Sequence, residues 1–384
     1  MKKVELHYDG KAEESEVLEG ARPAALREER VFGNGDARQN MLISGDNLPV
    51  LRILIDMGLR GEVKLVYIDP PFGTGNTYKR NGIDVYSSKG GTEYLEWLRR
   101  RIILLRHLLA NDGSLYMRID YHYGHYMKVL LDEIFGKENS RNELIVNRTK
   151  KIFDGTKRFN TATDSVFFYT KTEEYIFNGY KKERSEEKRK WIPMHSPGVR
   201  WTKIEDSDLN LFKNTEERGG RYYTRARIFK GKEYLPPPRR HWTFTQERLN
   251  RYAAEGRIRL NGEMLEYQTG PQEIVDSNWT DIPGYSFKWD YPTENSEQLL
   301  ERIIKASSNP GDMVLDCFAG SGTTGAVAEK LDRKWIMIDS SGFSMQTITK
   351  RMLSLRESIG NKGKRMKTKP FSVYIAGDDA KDQN

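Results

Sequence analysis

Apolar residues along this chain recur at two spacings, and the order in which they alternate predicts an α/β protein. Val63, Leu65, Val66 and Ile68 form a short, almost unbroken β-branched run, the signature of a strand buried on both faces. Upstream, Met41 to Ser44 reads as a strand running into Gly45-Asp46-Asn47, and Leu48, Leu51, Leu54 and Ile55 follow at helical spacing. Strand, helix and strand make a βαβ unit. Leu95, Leu98, Ile102, Leu105 and Leu109 then predict a helix over 94–110, stopped by Asn111-Asp112-Gly113. Its Arg99-Arg100-Arg101 run reads as a solvated stripe. A strand over 114–120 ends in Asp120, a helix over 125–135 ends at Gly136, and Leu144 to Asn147 and Ser165 to Tyr169 read as further strands.

The pattern changes near Asn178. Through Pro283, aromatics, arginines, glycines and prolines interleave with little periodicity. Regularity returns with a helix over 297–305, a strand over 313–316, a helix over 326–331, a strand over 335–339 and a helix over 344–355. The expected organisation is an arm (1–39, with a short strand near Val4 to Tyr8), a first α/β half (40–177), an inserted module (178–288), a second α/β half (289–360) and a tail (361–384, with a strand near Phe371 to Ile375).

Composition adds less. A length of 384 residues accommodates one large unit with an insertion, and a net charge of +8 tilts toward a polyanionic partner. The lone cysteine, Cys317, rules out internal disulfides and suits a reducing cytoplasm. The six histidines lack ligand spacing, so no metal site is expected. No stretch approaches 18 apolar residues, and Met1-Lys2-Lys3-Val4-Glu5 is not the start of a secretion signal, so no membrane partner is expected.

Chemistry concentrates at two strand ends. Asp69-Pro70-Pro71-Phe72 stops the Val63 run at an acid, and two prolines, rigid and without N–H groups, stiffen a turn that presents a carboxylate and free carbonyls beside a flat ring. That set suits a planar molecule carrying an amine. In the second half, Gly320-x-Gly322-x-x-Gly325 follows a strand, opens a helix, and has Asp339 about twenty residues on, as in a dinucleotide fingerprint. An NAD-dependent oxidoreductase is therefore one reading. However, Asp316 stands just before the glycines, where a carboxylate would repel a pyrophosphate but accept hydrogen bonds from an ammonium. A ligand with a ribose, an ammonium and no phosphate, such as S-adenosylmethionine, is the other. Too few residues follow the glycine loop to complete a sheet, so the two halves must form one sheet and share one cavity.

Six stretches resemble landmarks of the amino-directed DNA methyltransferases of the permuted β class, and of Type III restriction-modification Mod subunits and their stand-alone relatives in particular. They are Ile43 to Leu48, Asp69 to Asn76, Asp112 to Leu115, Leu131 to Gly136, Tyr291 to Glu294 and Asn309 to Asp312, with a looser likeness around Pro238-Arg239-Arg240-His241-Trp242. The resemblance implies a Rossmann-like, S-adenosylmethionine-dependent methyltransferase fold with a circularly permuted motif order and an inserted target-recognition domain. It implies methyl transfer to adenine N6 of a flipped base in double-stranded DNA, with cytosine N4 as the alternative. Asp69, Pro70, Pro71 and Phe72 are the implied catalytic residues. Asp46, Pro292, Thr293, Asp316, Phe318, Gly320, Gly322, Thr323, Thr324 and Asp339 are the implied cofactor residues. Arg239, Arg240, His241 and Trp242 are the best candidates for DNA contact. A cognate restriction endonuclease and a second copy of the chain are further implied partners, and the nucleoid of the cytoplasm is the implied location. The chain departs from the family at Phe72, where Tyr is commoner, and at Glu294-Asn295-Ser296, where Gln-Lys-Pro is usual. The second departure motivates a third reading, a non-catalytic DNA-binding protein.

Overall fold

The apolar runs become strands of a ten-stranded mixed sheet in the computed structural model, which describes residues 4–20, 25–34, 40–73, 77–80, 83–87, 90–148, 157, 159–194, 226–235, 242 and 244–377. In chain order these strands are β1 (Ala25–Phe32), β2 (Met41–Ser44), β3 (Val63–Ile68), β4 (Leu109–Ile119), β5 (Ser140–Asn147), β6 (Thr163–Thr170), β7 (Asn278–Trp279), β8 (Met313–Asp316), β9 (Lys334–Asp339) and β10 (Phe371–Gly377). Across the sheet they run β1-β10-β2-β9-β8-β3-β4-β6-β5-β7. The central six, from β10 to β4, are parallel to one another.

Buried on both faces, the central strands send alternate residues into two cores. Met41, Ile43, Val66 and Ile68 point into one core, with α1 (Glu14–Gly20), α2 (Asn47–Leu54), α3 (Gly91–Leu108) and α4 (Gly124–Phe135). Leu42, Leu65, Tyr67 and Val314 point into the other, with α5 (Glu297–Ser307), α6 (Thr323–Lys330) and α7 (Gly342–Leu353). The result is a three-layer α/β/α stack of the Rossmann kind.

Both halves of the sequence build this sheet, and β8 and β3 are its seam. From β8 the chain moves to β9 on one side, whereas from β3 it moves to β4 on the other, and β8 and β3 are themselves parallel neighbours through Val314–Leu65 and Leu315–Val66. A crevice opens at the carboxyl ends of strands where the winding reverses in this way.

The chain ends also join the sheet. β1, from the expected arm, pairs antiparallel with β10, from the expected tail. Its charged Arg27, Glu28, Glu29 and Arg30 are tolerable because it is an edge strand, exposed along most of its length. No strand forms at Val4 to Tyr8; the Leu6 N–H is taken by Glu133 and the Tyr8 hydroxyl by Glu96 instead. β4 begins five residues earlier than its pattern suggests, with an irregularity that carries Asn111 to Gly113 between the pairs Val63–Leu109 and Leu65–Ser114.

A second unit comprises Lys181–Ile274. Trp191–Pro193, Met264–Gln268 and Ile258–Asn261 form a three-stranded antiparallel sheet, accompanied by short two-stranded pairings and the helix Gln246–Ala254. Its small core holds Met194, Phe229, Trp242, Phe244, Leu249 and Leu265. The main unit loses the chain at Tyr180 and regains it at Val275, whose N–H donates to the Tyr180 carbonyl at 3.0 Å.

Candidate active site

A cleft of about 340 Å³ opens at the seam, and it is lined from both halves of the sequence: Asp69 to Phe72 follow β3, and Asp316 to Ser321 follow β8. Asp69 leaves the end of a strand buried at every position but Lys64 and does not turn back into helix, because the residue before a proline is held extended. Burial raises its pKa to about 6, against the lowering influence of Arg118 and of a hydrogen bond from Asn295. Asn295 Nδ2 donates to Asp69 Oδ2 at 2.8 Å. Phe72 is half-buried beside it, with the Arg148 guanidinium 5.6 Å from its ring centre.

The glycine loop is built around its own acids. Gly320 and Gly322 have φ of +51° and +74°, a region other residues rarely enter, and Gly320 packs against the Tyr291 ring. The Gly320 N–H donates to Asp339 Oδ2 at 2.8 Å, and the Phe318 N–H to Asp316 Oδ1 at 2.9 Å. Asp316 Oδ2 also accepts the Thr324 hydroxyl. Donors that a dinucleotide fold would offer to a pyrophosphate are therefore taken by carboxylates. Burial, reinforced by Asp69 and Asp339, pushes Asp316 up to about 7 against those hydrogen bonds, and burial likewise raises Asp339. Four acids (Asp46, Asp69, Asp316 and Asp339) face the cleft, and Arg101 is the only cation lining it among the described residues. Such a lining favours a cationic ligand.

Asp46 caps α2 through the Leu48 N–H at 2.9 Å and accepts Arg101 Nη2 at 2.8 Å. Arg101 also donates to Asn47, and its guanidinium lies 4.0 Å from the Trp97 ring centre. The expectation of a solvated stripe on α3 is thus corrected for Arg99 and Arg101, which are 6% and 3% exposed. Arg99 turns back onto Glu96 and Arg101 reaches the cleft, leaving Arg100 as the partly exposed member.

The family described as DNA methylase (N6_N4_Mtase) matches residues 63–350. The chain belongs to the N6/N4 DNA methylases. Among the relatives of this methylase, the Type II methyltransferase M.EcaI of Enterobacter cloacae is 33% identical over 94% of this chain and 80% of its own length. The EcoP15I Mod subunit of Escherichia coli, a Type III restriction-modification enzyme, is 22% identical over 77% of this chain. The methylase spans only 56% of that Mod subunit. Among solved structures, the M1.HpyAVI–SAM complex superposes with a TM-score of 0.43 at 17% identity, covering 81% of this chain and 98% of that one.

Of the residues expected in the site, Asp69, Pro70, Pro71, Phe72, Asp46, Thr293, Asp316, Phe318, Gly320, Thr323, Thr324 and Asp339 line the methylase cleft. Pro292 and Gly322 do not; Gly322 instead caps α6. Arg239, Arg240 and His241 lie outside the described residues. Trp242 is a correction: at 2% exposure, its ring belongs to the core of the Lys181–Ile274 unit and is not a surface for DNA. Asn47, Trp97, Arg101, Tyr285, Tyr291 and Asn295 line the cleft without having been foreseen. Cys317 is buried and burial pushes its thiol pKa up, which is the opposite of what a thiolate nucleophile requires. The three departing residues all have structural partners: Glu294 accepts the Trp289 N–H, Asn295 holds Asp69, and Ser296 caps α5.

Proposed function

We propose that this methylase transfers the methyl group of S-adenosylmethionine to adenine N6 in duplex DNA, at a sequence selected through the Lys181–Ile274 unit. The supporting observation is the common cleft, in which the Asp69 carboxylate and the Gly320 loop face each other across the β3–β8 seam. The donor set fits the cofactor: Asp339 suits ribose hydroxyls, Asp316 the ammonium, Asp46 with Arg101 the adenine end, and no phosphate has to be accommodated. When bound, S-adenosylmethionine supplies an electrophilic methyl on a sulfonium.

An exocyclic amine is a weak nucleophile because its lone pair is delocalised into the base. Asp69 and the Pro70 carbonyl accept its two N–H groups, which lets the nitrogen pyramidalise and turns the lone pair toward the methyl. Bound S-adenosylmethionine would supply a methyl whose S–C bonding pair returns to sulfur as the N–C bond forms. The nitrogen becomes positively charged, and the Asp69 carboxylate stabilises that charge and takes the departing proton. Phe72 offers the extruded base a stacking face.

Adenine is favoured over cytosine N4 because Asp occupies position 69, where many of the cytosine N4 enzymes this chain resembles carry Ser. Incubation with labelled S-adenosylmethionine and mixed-sequence DNA, followed by digestion to nucleosides, is expected to yield N6-methyl-2′-deoxyadenosine. N4-methylcytosine would overturn the choice of base, and unlabelled nucleosides would overturn the proposed activity.

A further inference from the structure

Asp69 is an aspartate, and its terminal torsion joins sp³ and sp² carbons and is soft. Nothing in β3 itself decides which way the carboxylate plane faces. The answer comes from a residue 226 positions away in sequence. Asn295 Nδ2 donates to Asp69 Oδ2, while Asn295 Oδ1 accepts Arg118 Nη1 at 2.7 Å and the Tyr67 hydroxyl at 3.1 Å.

The orientation of the Asn295 amide follows from chemistry. A guanidinium can only donate, so the oxygen of the amide must face Arg118 and the NH₂ must face Asp69. Arg118 is itself held by several groups. It is fully buried, paired with Asp164 at 2.8 Å, bonded to the Gly284 carbonyl at 3.0 Å, and stacked 3.9 Å from the Tyr285 ring centre. The main chain of Asn295 is held from the other half of the site, where Thr323, the first residue of α6, donates its hydroxyl to the Asn295 carbonyl at 3.1 Å.

We propose that Asn295 is a positioning residue for the methyl transfer: it occupies Asp69 Oδ2, leaves Oδ1 to accept the target amine, and ties that orientation to the glycine loop through Thr323, with Arg118 fixing the amide. This rests on the function proposed above and adds to it the device that sets the catalytic carboxylate. Misplacement of an acceptor by an ångström costs about 10²-fold in rate.

A merely structural asparagine would not affect the titration of Asp69, whereas a positioning one must. The groups facing Asp69 are Arg118 on β4, Arg148 after β5, Asp164 on β6, Asp316 on β8, and the phenols of Tyr67, Tyr94, Tyr285 and Tyr291. Asn295 donates specifically to the ionised form and so helps keep Asp69 charged. In Asn295→Ala the acidic limb of the pH–rate profile therefore moves up by about one pH unit. Asn295→Asp is isosteric and still accepts from Arg118, but places a second carboxylate against Asp69, so its limb moves in the same direction and further.

The experiment measures labelled methyl transfer to DNA from pH 5 to 9, with cofactor affinity by calorimetry, for the wild type and both variants. The expected result is a loss of about 10²-fold in kcat at neutral pH for Asn295→Ala, cofactor dissociation constants within about threefold of wild type, and both upward shifts. Should the alanine protein not fold, the isosteric aspartate decides alone. Retained kcat, or lost kcat with an unmoved acidic limb, overturns the positioning role while leaving the function standing. An inactive wild type overturns the function, and this role with it.

Discussion

In the proposed mechanism the carboxylate of Asp69 accepts the target amine only when ionised, and burial holds its pKa near 6. Methyl transfer by the free enzyme is therefore expected to fall as pH drops below about 6, read as the acidic limb of kcat/KM. Asp69→Ala removes the acceptor altogether, and a loss of about 10³-fold in kcat with cofactor affinity unchanged is the expected outcome. Asp316 is expected to have a different pH dependence, because the role proposed for it is in cofactor binding. Its folded pKa of about 7 lies above the ordinary value of 3.8, so between those pH values the native state holds a proton that the unfolded chain has released. Stability therefore declines as pH rises through that window, and cofactor affinity improves over the same range as the carboxylate forms. Asp316→Asn is expected to raise the melting midpoint by a few degrees at pH 8, to lose that advantage by pH 4, and to lose cofactor binding at every pH. A midpoint lowered at pH 8 contradicts this account of the site.

Helix α3 shows where local pattern stops being informative. Its apolar face is legible because Leu95, Leu98, Ile102 and Leu105 recur at helical spacing, but Arg99-Arg100-Arg101 looks like any charged surface run. Arg99 turns back onto Glu96 of the same helix, whereas Arg101 turns toward the cleft because of Asp46, 55 residues away in sequence. Similarly, the Tyr-Met-Arg-Ile stretch of β4 gives no hint that Arg118 reaches Asn295, 177 residues on. By contrast, Asp69 is legible because an apolar strand ends at two prolines, and the Gly320 loop because its spacing is rigidly tied to a strand-to-helix turn. Residues whose role is dictated by their own backbone can be read from the chain, and residues whose role is dictated by a distant partner cannot. The inward turn of Arg101 has a measurable consequence. Arg101→Met keeps an unbranched aliphatic side chain but removes the guanidinium from Trp97, Asp46 and Asn47, and is expected to weaken cofactor binding about 10-fold, with kcat at saturation changed less than threefold. Equal binding by both proteins would remove Asp46 from the cofactor site.

The sheet of the main unit draws strands from both sides of the insertion, and the cleft is complete within it. The periodicity changes near Asn178, close to Tyr180 where the chain leaves the main unit, because a module with its own small core owes no register to the large sheet. The re-entry point was harder to read. The Val275–Ser296 stretch is irregular in sequence, yet it pairs as β7 with β5 and supplies Gly284, Tyr285 and Asn295 to the Arg118 relay. The hydrogen bond from Val275 to Tyr180 brings the two ends of the insertion together on the main unit, so replacing residues 181–274 by a short Gly/Ser linker leaves no gap for the sheet to span. The shortened protein is expected to fold and to bind S-adenosylmethionine within about threefold of the full chain, because each cleft residue remains. Its preference for one DNA sequence over another should vanish, a loss of about 10³-fold or more in specific over non-specific affinity. Competition binding at fixed salt measures this directly, and a shortened protein that still discriminates among sequences would move target recognition into the methyltransferase unit itself.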